Sequence, residues 1–194
     1  MDSRPARKQV REIAADKRVL NLFSYTGAFG VAAQAGGAKS TTNIDNKSSA
    51  LAIAKKNYAL NHLTADTRTF LRADVFKYVT RAAKSKGRYD LIILDPPPKS
   101  KRPGNRWFNA KTGYAPLLAK CLSLLAPNGQ VLAGLNAKHI SDTEHEAMLQ
   151  TAAENKGIPI KVLEKIGPGA DFPSADDRPS ARFVLVSINL ADPT

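Results

Sequence analysis

Two hydrophobic patterns take turns along the chain. Short apolar or β-branched runs alternate with longer stretches whose apolar residues recur every three or four positions. The first stretch, Arg4 to Lys17, sets Val10, Ile13 and Ala14 at helical spacing. Val19 to Phe23 then reads as a strand, and Ala28 to Gly36 as a helix that Gly36-Gly37 stops. Thr41 to Asp45 is β-branched and ends on an acid, and Ser48 to Leu60 repeats Leu51, Ala54, Lys55, Tyr58 and Ala59 at helical intervals. A strand over Thr67 to Arg72 and a helix over Val75 to Lys84 follow. Leu91-Ile92-Ile93-Leu94 is uninterrupted, as a central parallel strand buried on both faces requires. Lys111 to Leu125 predicts a helix stopped by Pro127-Asn128-Gly129, Gln130 to Leu135 a fifth strand, and His139 to Asn155 a further helix. Ile158 to Ile166 and Arg182 to Leu190 close the series as strands, joined by an irregular loop carrying Pro168, Gly169, Pro173 and Pro179.

Strands alternating with helices of this length call for a doubly wound, Rossmann-like α/β sheet, because each parallel connection needs a crossover. Two final strands joined without a helix add an antiparallel edge pair. The expected sheet is seven-stranded and mostly parallel, in a single domain over residues 1–194. Ligands of such sheets lie outside the carboxyl ends of the strands, near the topological switch point. The residues that follow each strand therefore carry the chemistry.

After the first strand comes Ser24-Tyr25-Thr26-Gly27-Ala28-Phe29-Gly30. Glycines there let backbone approach a ligand, and the next helix offers its amides. Tyr25 stands where a dinucleotide fingerprint would need glycine, which argues against a nicotinamide enzyme. Asp45, after the second strand, fits two roles: gripping the hydroxyls of a ribose, or capping the next helix. Asp74, after the third, has the same two-sided character, as a cap or as an acceptor for an adenine amino group. Asp95-Pro96-Pro97-Pro98, after the fourth, pairs a carboxylate with prolines that remove backbone donors, an acceptor-only site suited to a substrate N–H. Asn136, after the fifth, offers a polar side chain to the same cleft.

Composition changes the picture in three respects. With 29 Lys and Arg against 17 Asp and Glu, the net charge is +12, which points to an anionic partner. Five of the cations (Lys99, Lys101, Arg102, Arg106, Lys111) follow Asp95 and interleave with Trp107 and Phe108, the combination that phosphate contacts and base stacking require. The lone Cys121 lies in an apolar helical stretch, and three scattered histidines suggest no metal centre. No apolar run reaches the length of a membrane span.

Leu20 to Gly30, Gly37 to Asp45, Ala73-Asp74 and Asp95-Pro96-Pro97 together resemble the class I S-adenosylmethionine-dependent methyltransferases. More narrowly, they resemble the bacterial 23S rRNA base methyltransferases that make 7-methylguanosine or 5-methylcytidine. The lead-in Asp2-Ser3-Arg4-Pro5-Ala6-Arg7 is similar to that family's D-x-R-x-x-R segment, and Asp171-Phe172-Pro173 to its late D-x-P loop. The resemblance implies a cytoplasmic enzyme with S-adenosylmethionine as cofactor and rRNA as partner. It also implies roles. Phe23, Ser24, Tyr25, Thr26, Gly27 and Ala28 would hold the methionine end, Asp45 the ribose, and Asn46, Asp74 and Val75 the adenine. Asp95, Pro96 and Pro97 would face the target base, and Asp95 would also meet the cofactor. The residues themselves add Asn136 to that cleft and put Lys99, Lys101, Arg102, Arg106, Trp107 and Phe108 on the RNA.

The chain departs from the family in several places. Asn136 stands where cytosine-C5 members carry a cysteine, and C5 of cytosine is not nucleophilic until a thiolate adds to C6. The aromatic that follows the family's D-P-P is replaced by Pro98-Lys99-Ser100. The family's N-terminal RNA-recognition region is not expected in this chain, which is read either as a fragment or as relying on the basic loop from Lys99 to Lys111. The expected function is therefore methylation of a base nitrogen in rRNA. A small-molecule acceptor and a catalytically silent RNA-binding module are the rival readings, and the oligomeric state is left open.

Overall fold

Leu91 to Leu94 sits at the centre of the molecule because its side chains alternate between two apolar layers. A computed structural model describes residues 3–66, 68–84, 88–172 and 182–188. In chain order these form α1 (Arg4–Ile13), β1 (Arg18–Leu22), α2 (Ala28–Ala35), β2 (Ser40–Asp45), α3 (Ser48–Leu60), β3 (Phe70–Arg72) and α4 (Val75–Ala82). There follow β4 (Tyr89–Leu94), β5 (Lys99–Arg102), β6 (Arg106–Asn109), α5 (Ala110–Leu122), β7 (Leu125–Leu135), α6 (Asp142–Glu154), β8 (Ile160–Ile166) and β9 (Arg182–Ile188). Seven strands make one sheet in the order β3-β2-β1-β4-β7-β9-β8. β9 runs antiparallel to both neighbours and the other pairings are parallel. The doubly wound expectation holds, edge pair included, and the order reverses between β1 and β4.

Leu91 and Ile93 pack with Ala6 and Val10 of α1 and Phe29 and Ala33 of α2. Ile92 and Leu94 turn the other way, onto Val79 of α4, Leu118 and Leu122 of α5 and Leu149 of α6. On the first face β2 carries a buried polar knot: Asn43 accepts from Asn21 and donates to the Tyr58 hydroxyl of α3, which also meets Thr41. Gly30 exists for this knot, since a Cβ there would lie 2.2 Å from Asn43 Oδ1.

Several boundaries move. β7 begins at Leu125 and runs through Pro127-Asn128-Gly129, which form a bulge: Tyr89 pairs with Leu125, and Leu91 already with Gln130. α6 starts at Asp142, not His139, behind a capping box of Ser141 and Glu144. The segment expected as a basic loop is an antiparallel hairpin of β5 and β6, turned at Pro103-Gly104-Asn105, where Gly104 and Asn105 adopt positive φ. Asp2, Thr67, Pro173, Pro179 and Leu190 lie outside the described residues. Within them the lead-in and the late loop meet, because Arg4 donates to both oxygens of Asp171 at 2.9 Å. No helix among the described residues is long and apolar enough to cross a membrane.

Candidate active site

The carboxyl ends of the strands open on one cavity of about 530 Å3, within the range of small-molecule sites. Its lining follows the strand order. Asp74 and Val75 come after β3, Asp45 and Asn46 at β2, Phe23 and Tyr25 after β1, Asp95, Pro96 and Pro97 after β4, and Asn136 after β7. Lys99, Lys101 and Arg102 of the hairpin line it as well.

Asp45 ties two loops together. Its Oδ2 accepts from the Tyr25 amide and its Oδ1 from the Lys47 amide, each at 2.9 Å. The N-cap of α3 is Lys47, with no side-chain cap, so the capping role considered for Asp45 falls away. Each carboxylate oxygen keeps capacity for one more donor. The loop it anchors is tightly wound. The Gly27 amide donates to the Ser24 carbonyl at 2.8 Å, and Asn57 of α3 holds the Thr26 carbonyl at 2.9 Å. Phe23 and Tyr25 both sit at positive φ (57° and 48°), at a cost of about 1–2 kcal/mol each. The Ser24 hydroxyl is buried without a partner.

Two expectations for this loop are corrected. Ser24, Thr26, Gly27 and Ala28 do not line the cavity, because the tight turn carries them behind Phe23 and Tyr25. Gly27 and Gly30 answer to packing: a Cβ on Gly27 (φ +75°) would lie 2.8 Å from the Cβ of Ala54.

Asp74 takes both roles of a structural residue. It caps α4 by accepting from the Lys77 amide at 2.9 Å, and Arg102 of β5 grips both its oxygens at 3.1 and 3.2 Å. Burial alone would raise its carboxyl; the Arg102 and Lys77 hydrogen bonds overcome that and hold it below the usual value. Arg102 also stacks over Phe76, 3.6 Å from the ring centroid. Its charge is thus spent inside the protein, which corrects its assignment to the RNA. Phe108 is corrected too. Successive strand residues face opposite ways, so Trp107 stands 69% exposed while Phe108, at 3%, enters an aromatic trio with Phe23 and Phe76. Gly113 of α5 makes room for that ring, since its Cβ would fall 2.7 Å from Phe108. Arg106 and Trp107 lie outside the cavity lining. The Pro98 carbonyl accepts from the Ala110 amide.

Among the described residues, Asp95 is the one carboxylate of the cavity without a compensating donor. Desolvation pushes its carboxyl up to about 6. Gly134 of β7 leaves space for it, because a Cβ there would lie 2.9 Å from Asp95 Oδ1. The Arg182 guanidinium fixes the segment that carries Asn136, donating to the carbonyls of Ala137 and Ile140 and to Asp142. Gly134, Phe76 and Arg182 were not among the expected site residues. A glycine inside an apolar strand was a readable sign of close approach, whereas Phe76 and Arg182 carried no local signal. Cys121 is fully buried, its thiol pushed up to about 12 by desolvation, as a core residue's would be. Among the described residues no group of three His, Cys, Asp or Glu converges as a metal site.

Comparison with known proteins agrees with this arrangement. Residues 1–186 match the model of the S-adenosylmethionine-dependent methyltransferase family. A relative named ribosomal RNA large subunit methyltransferase I, from Serratia proteamaculans, is 36% identical over 186 residues, covering 95% of this chain and 46% of its own. Another, named ribosomal RNA large subunit methyltransferase K/L, from a Shewanella species, is 39% identical over 159 residues, covering 80% of this chain and 22% of its own. The chain thus spans about half or less of the length of these curated relatives. A crystal structure described as that of a methyltransferase complexed with SAH superposes with a TM-score of 0.88 at 29% identity, over 96% of this chain and 49% of that one. From the family match along nearly its whole length, and from a sheet shared with a protein that holds the demethylated cofactor, this chain belongs to the S-adenosylmethionine-dependent methyltransferases.

Proposed function

We propose that the chain transfers the methyl group of S-adenosylmethionine to a nitrogen of a base in large-subunit ribosomal RNA. The observation that carries this reading is the sequence of groups across one cavity, from two carboxylates at β2 and β3 to the desolvated Asp95 at β4 and Asn136 after β7. The residues present fit the cofactor. Asp45 keeps one acceptor site on each oxygen for a pair of ribose hydroxyls. Asn46 and Val75 would flank the adenine, for which Asp74 keeps one free lone pair on Oδ2. Phe23 and Tyr25, the residues of that loop that line the cavity, would meet the methionine end.

The bound cofactor supplies a methyl group on a positively charged sulfur, already activated for transfer. What remains for the protein is alignment and proton handling. Asp95 accepts the N–H of the target nitrogen, or takes the proton it releases, in a site whose prolines offer no competing donor. Asn136 orients the base edge, and Arg182 holds Asn136 in place. Covalent activation through a thiolate is disfavoured by a single cysteine sealed in the core. By the hairpin register Lys99, Lys101 and Trp107 share one face and Arg106 is exposed on the other, and these are the groups that would meet the RNA. The names of the relatives support RNA as the acceptor.

The test is transfer from labelled S-adenosylmethionine to unmodified large-subunit rRNA, followed by nucleoside analysis. An N-methylated base is the expected product. Label found only in 5-methylcytidine, or only in small molecules, refutes the proposal.

A further inference from the structure

Beside the cavity lies a second, open groove of about 470 Å3 between α4, the hairpin and α5. Six cations line it, namely Lys77, Arg81, Lys84, Arg102, Arg106 and Lys120, and among the described residues none that lines it is acidic. The sequence builds one bank as a helical stripe. On α4, Val75 and Val79 turn inward, while Lys77 and Arg81 stand four positions apart on the outer face, and Lys84 follows just past the helix end. Like charges at this spacing repel in the free protein. Lys77 also sits in the first helical turn, where a cation opposes the helix dipole, and the N-cap Asp74 is already paired with Arg102. Arg106 from β6 and Lys120 from α5 converge from two other elements, with Lys120 held at 3.0 Å to the Thr80 hydroxyl on the groove floor. Folding thus gathers charge that only an anion can offset.

The groove adjoins the cavity, because Phe76 and Arg102 line both. Arg102 is neutralised by Asp74, so the junction is a fixed wall and the five remaining cations face outward. A run of cations leading away from a base-sized cavity matches a strand whose charges repeat along its length. We propose that this groove carries the phosphodiester backbone of the RNA strand flanking the base in the cavity, a second contact surface beyond the tip of the hairpin. The inference rests on RNA being the acceptor.

The test compares the wild-type chain with K77Q/R81Q/K84Q, all at exposed positions, and with K55Q/K56Q/K161Q, which removes equal charge elsewhere. The probe is transcribed large-subunit rRNA, with methyl transfer and binding followed between about 50 and 400 mM salt. The groove variant should raise KM for RNA about tenfold with kcat within about twofold, and flatten the salt slope by about 2, or about 0.7 for each of three contacts. Unchanged cofactor affinity marks the variant as folded, and Lys120→Gln, across the groove, should reproduce part of the loss. A groove variant that matches the wild type or the control triple, while the wild type methylates RNA, overturns the groove alone. A wild type that neither binds nor methylates RNA overturns the acceptor and the groove together.

Discussion

At the scale of single residues, two carboxylates in one cavity are made unlike by their neighbours. Asp45 accepts two backbone amides, and Asp95 accepts none. Replacing Asp45 with Ala should weaken S-adenosylmethionine binding by about 1–3 kcal/mol through lost charge-assisted hydroxyl contacts. Calorimetry on the folded variant checks this, and unchanged affinity would leave Asp45 as a brace between loops. For Asp95 the sign runs the other way from a paired acid. Its carboxyl is raised to about 6, so the folded chain keeps a proton that the unfolded chain releases from about pH 4. Stability therefore falls as pH climbs from about 4 to 6, and the full cost, about 3 kcal/mol, is present above that. Asp95→Asn should raise stability at pH 8 by up to that amount, add little below pH 4, and abolish methyl transfer. In the wild type, transfer should decline as pH drops through about 6, because the proton-accepting carboxylate is lost. An acid limb absent from the wild-type profile would remove Asp95 from the reaction.

Among the elements, the hairpin of β5 and β6 shows what a linear pattern hides. The sheet and its helices were legible because burial on one or both faces imposes a period on the sequence, most plainly in Leu91 to Leu94. The hairpin has no such run: Lys99-Ser100-Lys101-Arg102 buries through a salt bridge and an aromatic contact, and its partner strand through one phenylalanine. Its turn, Pro103-Gly104-Asn105, was a readable signal, as was Ser141-Asp142-Thr143-Glu144 for the start of α6. The cavity lining was legible at the ends of β2, β3, β4 and β7, and less so after β1, where only Phe23 and Tyr25 of the expected loop line it. It was not legible for Phe108, whose face depends on strand register, or for Arg102, whose partner lies 28 residues away. Splitting the Trp107-Phe108 pair separates these roles. Phe108→Ala should cost about 3–5 kcal/mol in urea unfolding, since it empties the aromatic trio. Trp107→Ala should leave stability within about 0.5 kcal/mol and weaken RNA binding by about 1–3 kcal/mol. Equal stability losses for the two would mean that the ring of Trp107 packs against the protein rather than a base.

On the scale of the whole molecule, charge sets opposite demands on folding and on binding. Many acids are matched locally, as in Arg18–Asp90, Arg102–Asp74 and Lys165–Glu146, so the cations in excess are left to repel one another on the surface. With 29 basic against 17 acidic residues that repulsion is uncompensated, and it disfavours the compact state. Added salt shortens the Debye length from about 10 Å at 0.1 M to about 3 Å at 1 M, which relieves the long-range repulsion. The same salt also weakens the exposed pairs, but each of these is worth only about 0–1 kcal/mol. Relief of repulsion should therefore win, and the thermal midpoint of the free chain should rise with salt. RNA affinity should fall over the same range, because each phosphate contact displaces fewer counterions' worth of free energy as salt increases. Thermal unfolding and RNA titration in one salt series check both slopes. A midpoint that stays flat or falls would mean that the surface cations are balanced in the free chain, and charge repulsion would then have no part in preparing it for an anionic partner.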